Sequence, residues 1–269
     1  MSGTPYFWRL IYTMMFPDFS GQHVLITGGS RGIGRACAQL FARLNADVSI
    51  TYKSNHKEAA TTIENLEGKG RHRMFQLDVS EPAAVAAFCE QLLESHSHVD
   101  VLVNNAGVFI EHKILEVDFA GWQAAWTETI NTNLTGVGNL CYFLGRHMAA
   151  RGKGRIVNVS SRGAFRGEPD HPAYGASKAG LNALSQSLAV ALAPYNVIVG
   201  VVAPGFVATD MAAGYLDSPA GESLKKQSPF NRVATAEEVA RVIAVFATEG
   251  FEFMSGGVVD INGASYLRT

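Results

Sequence analysis

Short apolar runs alternate with segments of helical periodicity along almost the whole chain. A continuous apolar run of five to nine residues is typical of a parallel strand that is covered on both faces. We predict such strands over 23–27, 47–52, 73–79, 99–107, 154–161, 197–205 and 256–263.

The segments between these runs predict helices. After the first strand, Ile33, Cys37, Phe41 and Leu44 recur on one side of a helix. Further helices are predicted over about 55–67, 82–95 and 119–150, from Tyr174 to Pro194, and over 235–247 behind a capping box. This alternation predicts a single-domain, Rossmann-like α/β fold. Its doubly wound parallel sheet has about seven strands, with helices on both faces and ligands at the carboxyl ends of the strands.

Composition is consistent with one globular domain over residues 20–269. Of the 269 residues, 47% are hydrophobic and 17% charged, which argues against disorder, and the net charge is −2. No basic tract indicates a nucleic-acid partner. The unpaired Cys37, Cys89 and Cys141 stand in apolar contexts, so we expect buried thiols, a reducing cytoplasmic location and no metal site.

Residues 1–19 form an aromatic N-terminal arm that admits three interpretations. Its apolar run is interrupted by Arg9 and is too short to cross a bilayer, so we expect no membrane span. An arm packed on the protein, or translation starting at Met14 or Met15, is favoured over a membrane-surface anchor.

A glycine-rich turn, TGGSRGIG (27–34), follows the first predicted strand and opens a helix. Glycines there permit a tight turn and let backbone N–H groups approach a pyrophosphate, which the helix N-terminus favours. The candidate cofactor-binding residues of this turn are Gly28, Ser30, Arg31, Gly32, Ile33 and Gly34.

Together with NNAG (104–107), YGASK (174–178) and PG (204–205), this turn resembles the short-chain dehydrogenase/reductase family over about residues 20–265. PGFVATDM and GGSRGIG are most similar to its β-ketoacyl-carrier-protein reductase branch. The resemblance implies hydride transfer between a nicotinamide cofactor and a carbonyl carbon, in a homotetramer or homodimer.

Charge at the end of the second strand indicates which cofactor is used. An NAD enzyme of this fold places an acid there, whereas this chain has Lys53 and Ser54, with Arg31 in the glycine turn. Cations suit the 2′-phosphate, so NADP(H) is predicted in preference to NAD(H). Alone, each of these cations is more often a solvated surface charge.

The resemblance assigns further cofactor contacts. It places Asp78 against the adenine beside Val79, although a strand-end aspartate also caps turns. By the same resemblance, the cofactor is lined by Asn105, Ala106 and Gly107. The nicotinamide amide is held by Pro204, Gly205, Val207 and Thr209. Residues 206–230 are then the expected substrate lid.

Tyr174 and Lys178 are four residues apart and share one helix face. A tyrosine of pKa about 10 is a weak base, and a nearby ammonium favours its ionised form. We therefore expect Lys178, with the oxidised nicotinamide, to lower the pKa of Tyr174. In the reducing direction Tyr174 would donate the proton, and Lys178 would also bind the nicotinamide ribose.

Two further catalytic candidates have close competitors. Ser161 lies thirteen residues before Tyr174, the family spacing, and its hydroxyl would bind the substrate oxygen, while Ser160 points to the opposite face. The resemblance also implies that Asn133 holds a water in a proton relay with Lys178. Asn131 competes for that role.

These features predict NADPH-dependent reduction of a ketone, reversible as alcohol oxidation. A β-ketoacyl thioester is the first substrate candidate. Pro194 and Tyr195 stand where carrier-protein reductases tend to offer a basic residue, so a cyclic or polar ketone is the alternative. The charged segment 162–172 faces such a substrate or is a solvated loop. A non-catalytic dinucleotide sensor is disfavoured because the catalytic residues are present, and an enoyl reductase because its tyrosine and lysine lie further apart.

Overall fold

The computed structural model describes residues 17–96, 98–209 and 219–268. Nine strands occur there: β1 (His23–Ile26), β2 (Asp47–Tyr52), β3 (Arg73–Gln76), β4 (Val101–Asn104), β5 (Gly154–Val159), β6 (Val197–Pro204), β7 (Val207–Ala208), β8 (Ala234–Thr235) and β9 (Val258–Ile261). Seven of them form one parallel sheet in the order β3-β2-β1-β4-β5-β6-β9, as predicted. The strand order reverses between β1 and β4, so the ligand crevice of this sheet lies at their carboxyl ends.

Helices cover both faces of this sheet. They are α1 (Gly32–Arg43), α2 (His56–Glu64), α3 (Pro82–His96), α4 (Phe119–Ile130), α5 (Gly136–Arg151), α6 (Gly163–Arg166), α7 (Pro172–Leu192), α8 (Pro219–Lys225) and α9 (Ala236–Ala247). A π-helical turn, Asn131–Thr135, joins α4 to α5. The short strands β7 and β8 pair with each other beside the main sheet.

The core consists of two layers, because successive side chains of a strand point to opposite faces. In β1, Val24 and Ile26 face the layer that contains α1 and α9, whereas Leu25 faces the layer that contains α3 and α5. All three side chains are fully buried, which explains why the strands are continuous apolar runs in the sequence.

A chain of buried amides connects the sheet to α7. Asn104 Nδ2 donates to Asn158 Oδ1 at 2.8 Å, and Asn158 Nδ2 donates to Ser185 Oγ at 2.8 Å. The Ser185 hydroxyl in turn donates to the Leu181 carbonyl within α7. These bonds join β4, β5 and α7 at defined positions and so fix the register of α7 on the sheet.

Several predicted element bounds are wrong by a few residues. The fourth strand ends at Asn104 rather than 107 and the fifth at Val159 rather than 161, because the residues beyond leave the ladder to form turns. The third ends at Gln76 and the last spans only Val258–Ile261. The helical region predicted over 119–150 is interrupted by the π turn, and α7 ends two residues before Pro194.

The three cysteines are free and buried, as predicted. Burial raises the pKa of Cys89 and Cys141 to about 12. The predicted arm over residues 1–19 lies almost entirely outside the described residues. Within the described part of the chain, no helix combines the length and apolar character needed to cross a membrane.

Close packing between β6 and α9 gives a test of this fold. A Cβ on Gly200 would lie 2.2 Å from the Phe246 ring, so we expect Gly200→Ala to destabilise the protein by about 1–3 kcal/mol. Gly138→Ala is the control, because the nearest atom to its Cβ would be 3.8 Å away and alanine favours the helix by about 1 kcal/mol. Urea unfolding of both variants measures the difference. A Gly200→Ala protein as stable as the wild type would contradict the packing.

Candidate active site

The glycine turn between β1 and α1 is closed by backbone conformation and by close contacts. Gly28 and Gly32 have φ angles of +65° and +53°, the left-handed region in which glycine is favoured. A Cβ on Gly34 would lie 2.2 Å from the Gly28 carbonyl oxygen, so only glycine lets α1 begin this close to the turn. Ser30 is buried, Ile33 is half-buried and Arg31 is exposed at the N-cap of α1.

Side-chain hydrogen bonds hold this turn against the end of β4. Thr27 Oγ1 accepts from the backbone N–H groups of Asn105 and Ala106, each at 3.0 Å. Asn105 Nδ2 returns bonds to the carbonyls of Thr27 and Gly28. The predicted cofactor residues from two separate segments therefore form one edge of the crevice. Thr27, whose side chain accepts two of these four bonds and whose carbonyl accepts a third, was not among the predicted site residues.

The predicted adenosine-binding residues contact one another at the ends of β2 and β3. Lys53 Nζ lies 2.8 Å from Asp78 Oδ2, and hydrogen bonding with Asp78 raises the pKa of Lys53. Asp78 also accepts from the backbone and hydroxyl of Ser80. Ser54 is exposed beside Lys53, and Val79 is buried. Because this ion pair is largely exposed, it is weak, and the Lys53 ammonium remains available to a ligand.

The segment after β6 returns to the glycine turn. Pro204 ends β6, the Gly205 N–H donates to the Ile261 carbonyl, and Val207 lies in β7. Thr209 reaches the turn, because a Cβ added to Gly32 would lie 3.1 Å from Thr209 Cγ2. The structure thus brings the predicted nicotinamide-binding and pyrophosphate-binding segments together.

Three of the four predicted catalytic residues converge at the N-terminal part of α7. Ser161 faces the Tyr174 phenol closely enough to lower its pKa, and the Ser161 Oγ accepts from the Gly163 N–H at 3.0 Å. Lys178 Nζ lies 5.7 Å from the centre of the Tyr174 ring and donates to the Val159 carbonyl at 2.8 Å. Ser160 instead donates to the Lys178 carbonyl, so the structure favours Ser161 as the serine that faces Tyr174.

Asn133, the fourth, is fully buried in the π turn and clamps a neighbouring loop. Its Oδ1 accepts from the Val108 N–H at 2.8 Å, while its Nδ2 donates to the Val108 carbonyl and to Ser177 Oγ. A Cβ on Gly107 would lie 3.2 Å from Asn133 Oδ1 and 3.7 Å from Lys178 Nζ. Gly107 therefore lies close to both the Asn133 amide and the Lys178 ammonium, and the role of Asn133 in a proton relay stays a prediction.

Burial shifts both titratable groups of this cluster towards their neutral forms. It lowers the pKa of Lys178 to about 8. It also raises the pKa of Tyr174 above its ordinary value, although the bond with Ser161 opposes the shift and Glu168 adds to it. In the protein alone, Lys178 is not among the groups that shift the pKa of Tyr174. The expected lowering involves the oxidised nicotinamide as well, so it stays a prediction. Desolvation dominates, and the ammonium hydrogen-bonds a carbonyl rather than the phenol.

Aromatic and histidine side chains that the sequence did not single out position the start of α7. The Phe109 ring stacks on His171 with centres 3.6 Å apart and contacts the Tyr174 ring edge-on at 4.7 Å. His112 is buried; its Nε2 accepts from the Ala173 N–H and its Nδ1 bonds the Ile110 carbonyl. No motif marks these residues, because their roles depend on contacts between distant segments.

The charged segment 162–172 is only partly solvated. Arg162 is 3% exposed, and Glu168 is half-buried, so that burial raises its pKa. The interpretation of the segment as a simple solvated loop is therefore wrong. Of the predicted lid over 206–230, the structure describes β7, α8 and the residues after α8, while 210–218 lie outside the described residues.

Comparisons with known proteins agree with this arrangement. The family model for short chain dehydrogenase matches residues 22–219. A 3-oxoacyl-(acyl-carrier-protein) reductase from Chlamydia pneumoniae is 36% identical over 90% of this chain and 96% of its own. The Escherichia coli K12 enzyme of the same name is 34% identical over 93% of this chain and 99% of its own.

Solved structures extend the comparison to other substrates. One, titled as an NAD(P)-dependent gluconate 5-dehydrogenase from Beutenbergia cavernae with bound NADP, superposes with a TM-score of 0.85. It is 30% identical and the match covers 92% of this chain and 98% of that one. The overall fold is therefore shared with proteins that are named for different substrates.

The lowered pKa of Lys178 predicts how stability depends on pH. Between pH 8 and 10.5 the unfolded chain binds more protons at this lysine than the folded protein, so the free energy of unfolding should rise with pH across that range. Lys178→Met should remove this contribution, whereas Lys57→Met, at an exposed lysine of α2, should retain it. Urea unfolding at several pH values measures both. Equal pH dependence in wild type and Lys178→Met would refute the assignment.

Proposed function

This chain belongs to the short-chain dehydrogenase family of oxidoreductases, and we propose that it reduces a ketone to a secondary alcohol with NADPH. The observation that carries the proposal is the convergence of Ser161, Tyr174 and Lys178 at the carboxyl edge of the sheet. A non-catalytic dinucleotide sensor would not require a hydroxyl pair and a buried ammonium at this position. The reverse oxidation would use the same groups.

The residues present fit a dinucleotide. The glycine turn leaves no room for side chains at Gly28, Gly32 or Gly34 and opens α1, whose N-terminal N–H groups suit a pyrophosphate. At the other end, exposed Arg31 and Lys53 suit a 2′-phosphate, and β2 ends without an acid that would prefer a free ribose hydroxyl. The NADP bound by the gluconate 5-dehydrogenase homologue supports the same choice.

The bound nicotinamide would supply the hydride, and the protein groups would manage the oxygen and its proton. Ser161 and Tyr174 would hydrogen-bond the carbonyl oxygen, and Tyr174 would release its proton to that oxygen as negative charge develops. A raised pKa suits this role, because the phenol then keeps its proton until the substrate oxygen becomes more basic. Lys178 would bind the nicotinamide ribose, while Asn133 fixes the loop at Val108 beside it.

The relatives suggest a thioester-bound 3-oxoacyl substrate, and this remains the first candidate. The alternative is a small polar or cyclic ketone from a specialised pathway. Two observations favour it: Pro194 and Tyr195 replace the basic residues expected for an acidic carrier, and the loop after β5 buries charged side chains. We further propose a homotetramer or homodimer in the cytoplasm, with residues 206–230 as the substrate lid.

Removing the Tyr174 hydroxyl tests the reaction. Tyr174→Phe should lower kcat for ketone reduction by about 10²- to 10⁴-fold, because the proton donor is lost. Its affinity for NADPH should change little. Tyr195→Phe, at an exposed tyrosine near the end of α7, is the matched control and should keep wild-type activity. NADPH oxidation followed by absorbance measures both, and full activity in Tyr174→Phe would eliminate the mechanism.

Removing the two exposed cations tests the choice of cofactor. The double variant Arg31→Gln/Lys53→Gln should raise KM for NADPH by about 10- to 100-fold, because charge-assisted bonds to the 2′-phosphate are lost. KM for NADH should change much less. Arg43→Gln is the control, since Arg43 lies at the opposite end of α1, about 18 Å from the turn. Equal changes for both cofactors would show that these residues do not read the phosphate.

A further inference from the structure

Arg162 is a buried cation that directly follows Ser161 in the chain. Only 3% of its surface is exposed, and its backbone N–H donates to the Pro204 carbonyl. Its Nη1 donates to Ser265 Oγ and its Nη2 to Gln227 Oε1, both at 2.6 Å. The guanidinium also lies 4.8 Å from the centre of the Phe206 ring. Every one of these partners is neutral.

Two other arginines of the described chain, Arg155 and Arg232, each have an acidic partner. Arg155 lies 2.7 Å from Glu252, and Arg232 lies 2.6 Å from Glu238. Across residues 17–96, 98–209 and 219–268, no carboxylate lies within 4.0 Å of Arg162. Burial lowers the pKa of Arg162, and Glu168 only partly offsets this at longer range. Because a guanidinium stays charged in proteins, a buried one without an anion is costly.

This unneutralised charge lines a cavity of about 340 Å³. Apolar side chains form much of the remaining wall, including Phe206, Phe230, Val242 and Ile261. The second arginine of the cavity, Arg232, is already paired with Glu238. Among the residues that the structure describes, the cavity wall therefore holds one cation without a carboxylate partner, in largely apolar surroundings, an arrangement that suits an anionic group.

The cavity adjoins the proposed reaction centre. The Cα atoms of Ser161 and Arg162 are neighbours, about 3.8 Å apart. Phe206 directly follows Gly205 of the proposed nicotinamide-binding segment. Two residues of the cavity wall are therefore direct chain neighbours of residues of the proposed reaction centre.

We propose that Arg162 binds a carboxylate of the substrate, so that the ketone reduced by this enzyme is an oxo acid. The proposal rests on the proposed function above. The planar guanidinium would donate two parallel hydrogen bonds to the carboxylate, in place of its present bonds to Gln227 and Ser265. Gln227 follows α8 and Ser265 follows β9, so binding would also rearrange contacts of the segments that close the cavity.

A purely structural role for Arg162 makes a different prediction. In that case Arg162 connects β5 to the segments after α8 and β9, and its loss affects all substrates alike. A carboxylate-binding role instead makes the effect depend on the charge of the substrate. The informative quantity is therefore the ratio of kcat/KM for an oxo acid to kcat/KM for its neutral amide.

Steady-state NADPH oxidation with oxo acids of four to six carbons, each paired with its amide, measures this ratio. The wild type should prefer the acid. Arg162→Met should lower the ratio about 10- to 100-fold, the loss expected for a charge-assisted hydrogen bond. Arg162→Lys should give an intermediate ratio, because the positive charge remains but the planar guanidinium that donates two parallel hydrogen bonds is lost. Arg232→Lys, the control within the same cavity, keeps a positive charge beside Glu238 and should leave the ratio unchanged. An unchanged ratio in Arg162→Met overturns the proposal.

A binding measurement separates this site from catalysis. Glutarate, a non-reducible dicarboxylate, should raise the thermal unfolding midpoint of the wild type and of Arg232→Lys, but not of Arg162→Met or Arg162→Gln. Stabilisation without turnover of any ketone supports the carboxylate site and refutes the proposed function. Ketone reduction without a preference for the acid and without stabilisation by glutarate supports the proposed function and refutes the carboxylate site. Stabilisation through Arg162 by inorganic phosphate but not by glutarate would show that the carboxylate assignment is wrong.

Discussion

The register of α7 on the sheet depends on a short chain of buried hydrogen bonds from Asn104 through Asn158 to Ser185. Each residue of a helix turns by about 100°, so a slip of one position would carry Tyr174 and Lys178 away from the crevice. Such a slip would also leave buried amide and hydroxyl groups without partners, at about 1–3 kcal/mol for each group. The polar chain therefore defines where the reactive groups lie.

The same burial that positions these groups also determines their charge. Lys178 is 5% exposed and donates to a carbonyl, and desolvation lowers its pKa to about 8. Burial raises the pKa of Tyr174, and this shift also favours the neutral form of the side chain. A site that holds both groups this way is costly to fold but needs little rearrangement when charge develops on a bound oxygen. Arg162 adds a third desolvated group only one residue from Ser161.

Local patterns in the sequence predicted most of the scaffold and the residues that meet at the candidate site. Continuous apolar runs identified all seven strands of the main sheet, and fixed spacing identified Ser161, Tyr174 and Lys178. The π turn over Asn131–Thr135 escaped prediction, because a single wide turn leaves no periodic signal in the sequence. The burial of Arg162 and the pairing of Lys53 with Asp78 escaped for another reason. Both depend on segments that are distant in sequence, and charged residues are usually solvated.

The pairing of β7 with β8 has a consequence for how this protein can diversify. Because β7 (Val207–Ala208) pairs with β8 (Ala234–Thr235), the two ends of the intervening segment lie side by side, next to the main sheet but outside it. A segment anchored in this way can be lengthened, shortened or exchanged at modest entropic cost without disturbing the strands that carry the reactive residues. Under the proposed lid role of residues 206–230, exchanging the segment between these two points would change the substrate range, which makes them natural junctions for chimeric enzymes.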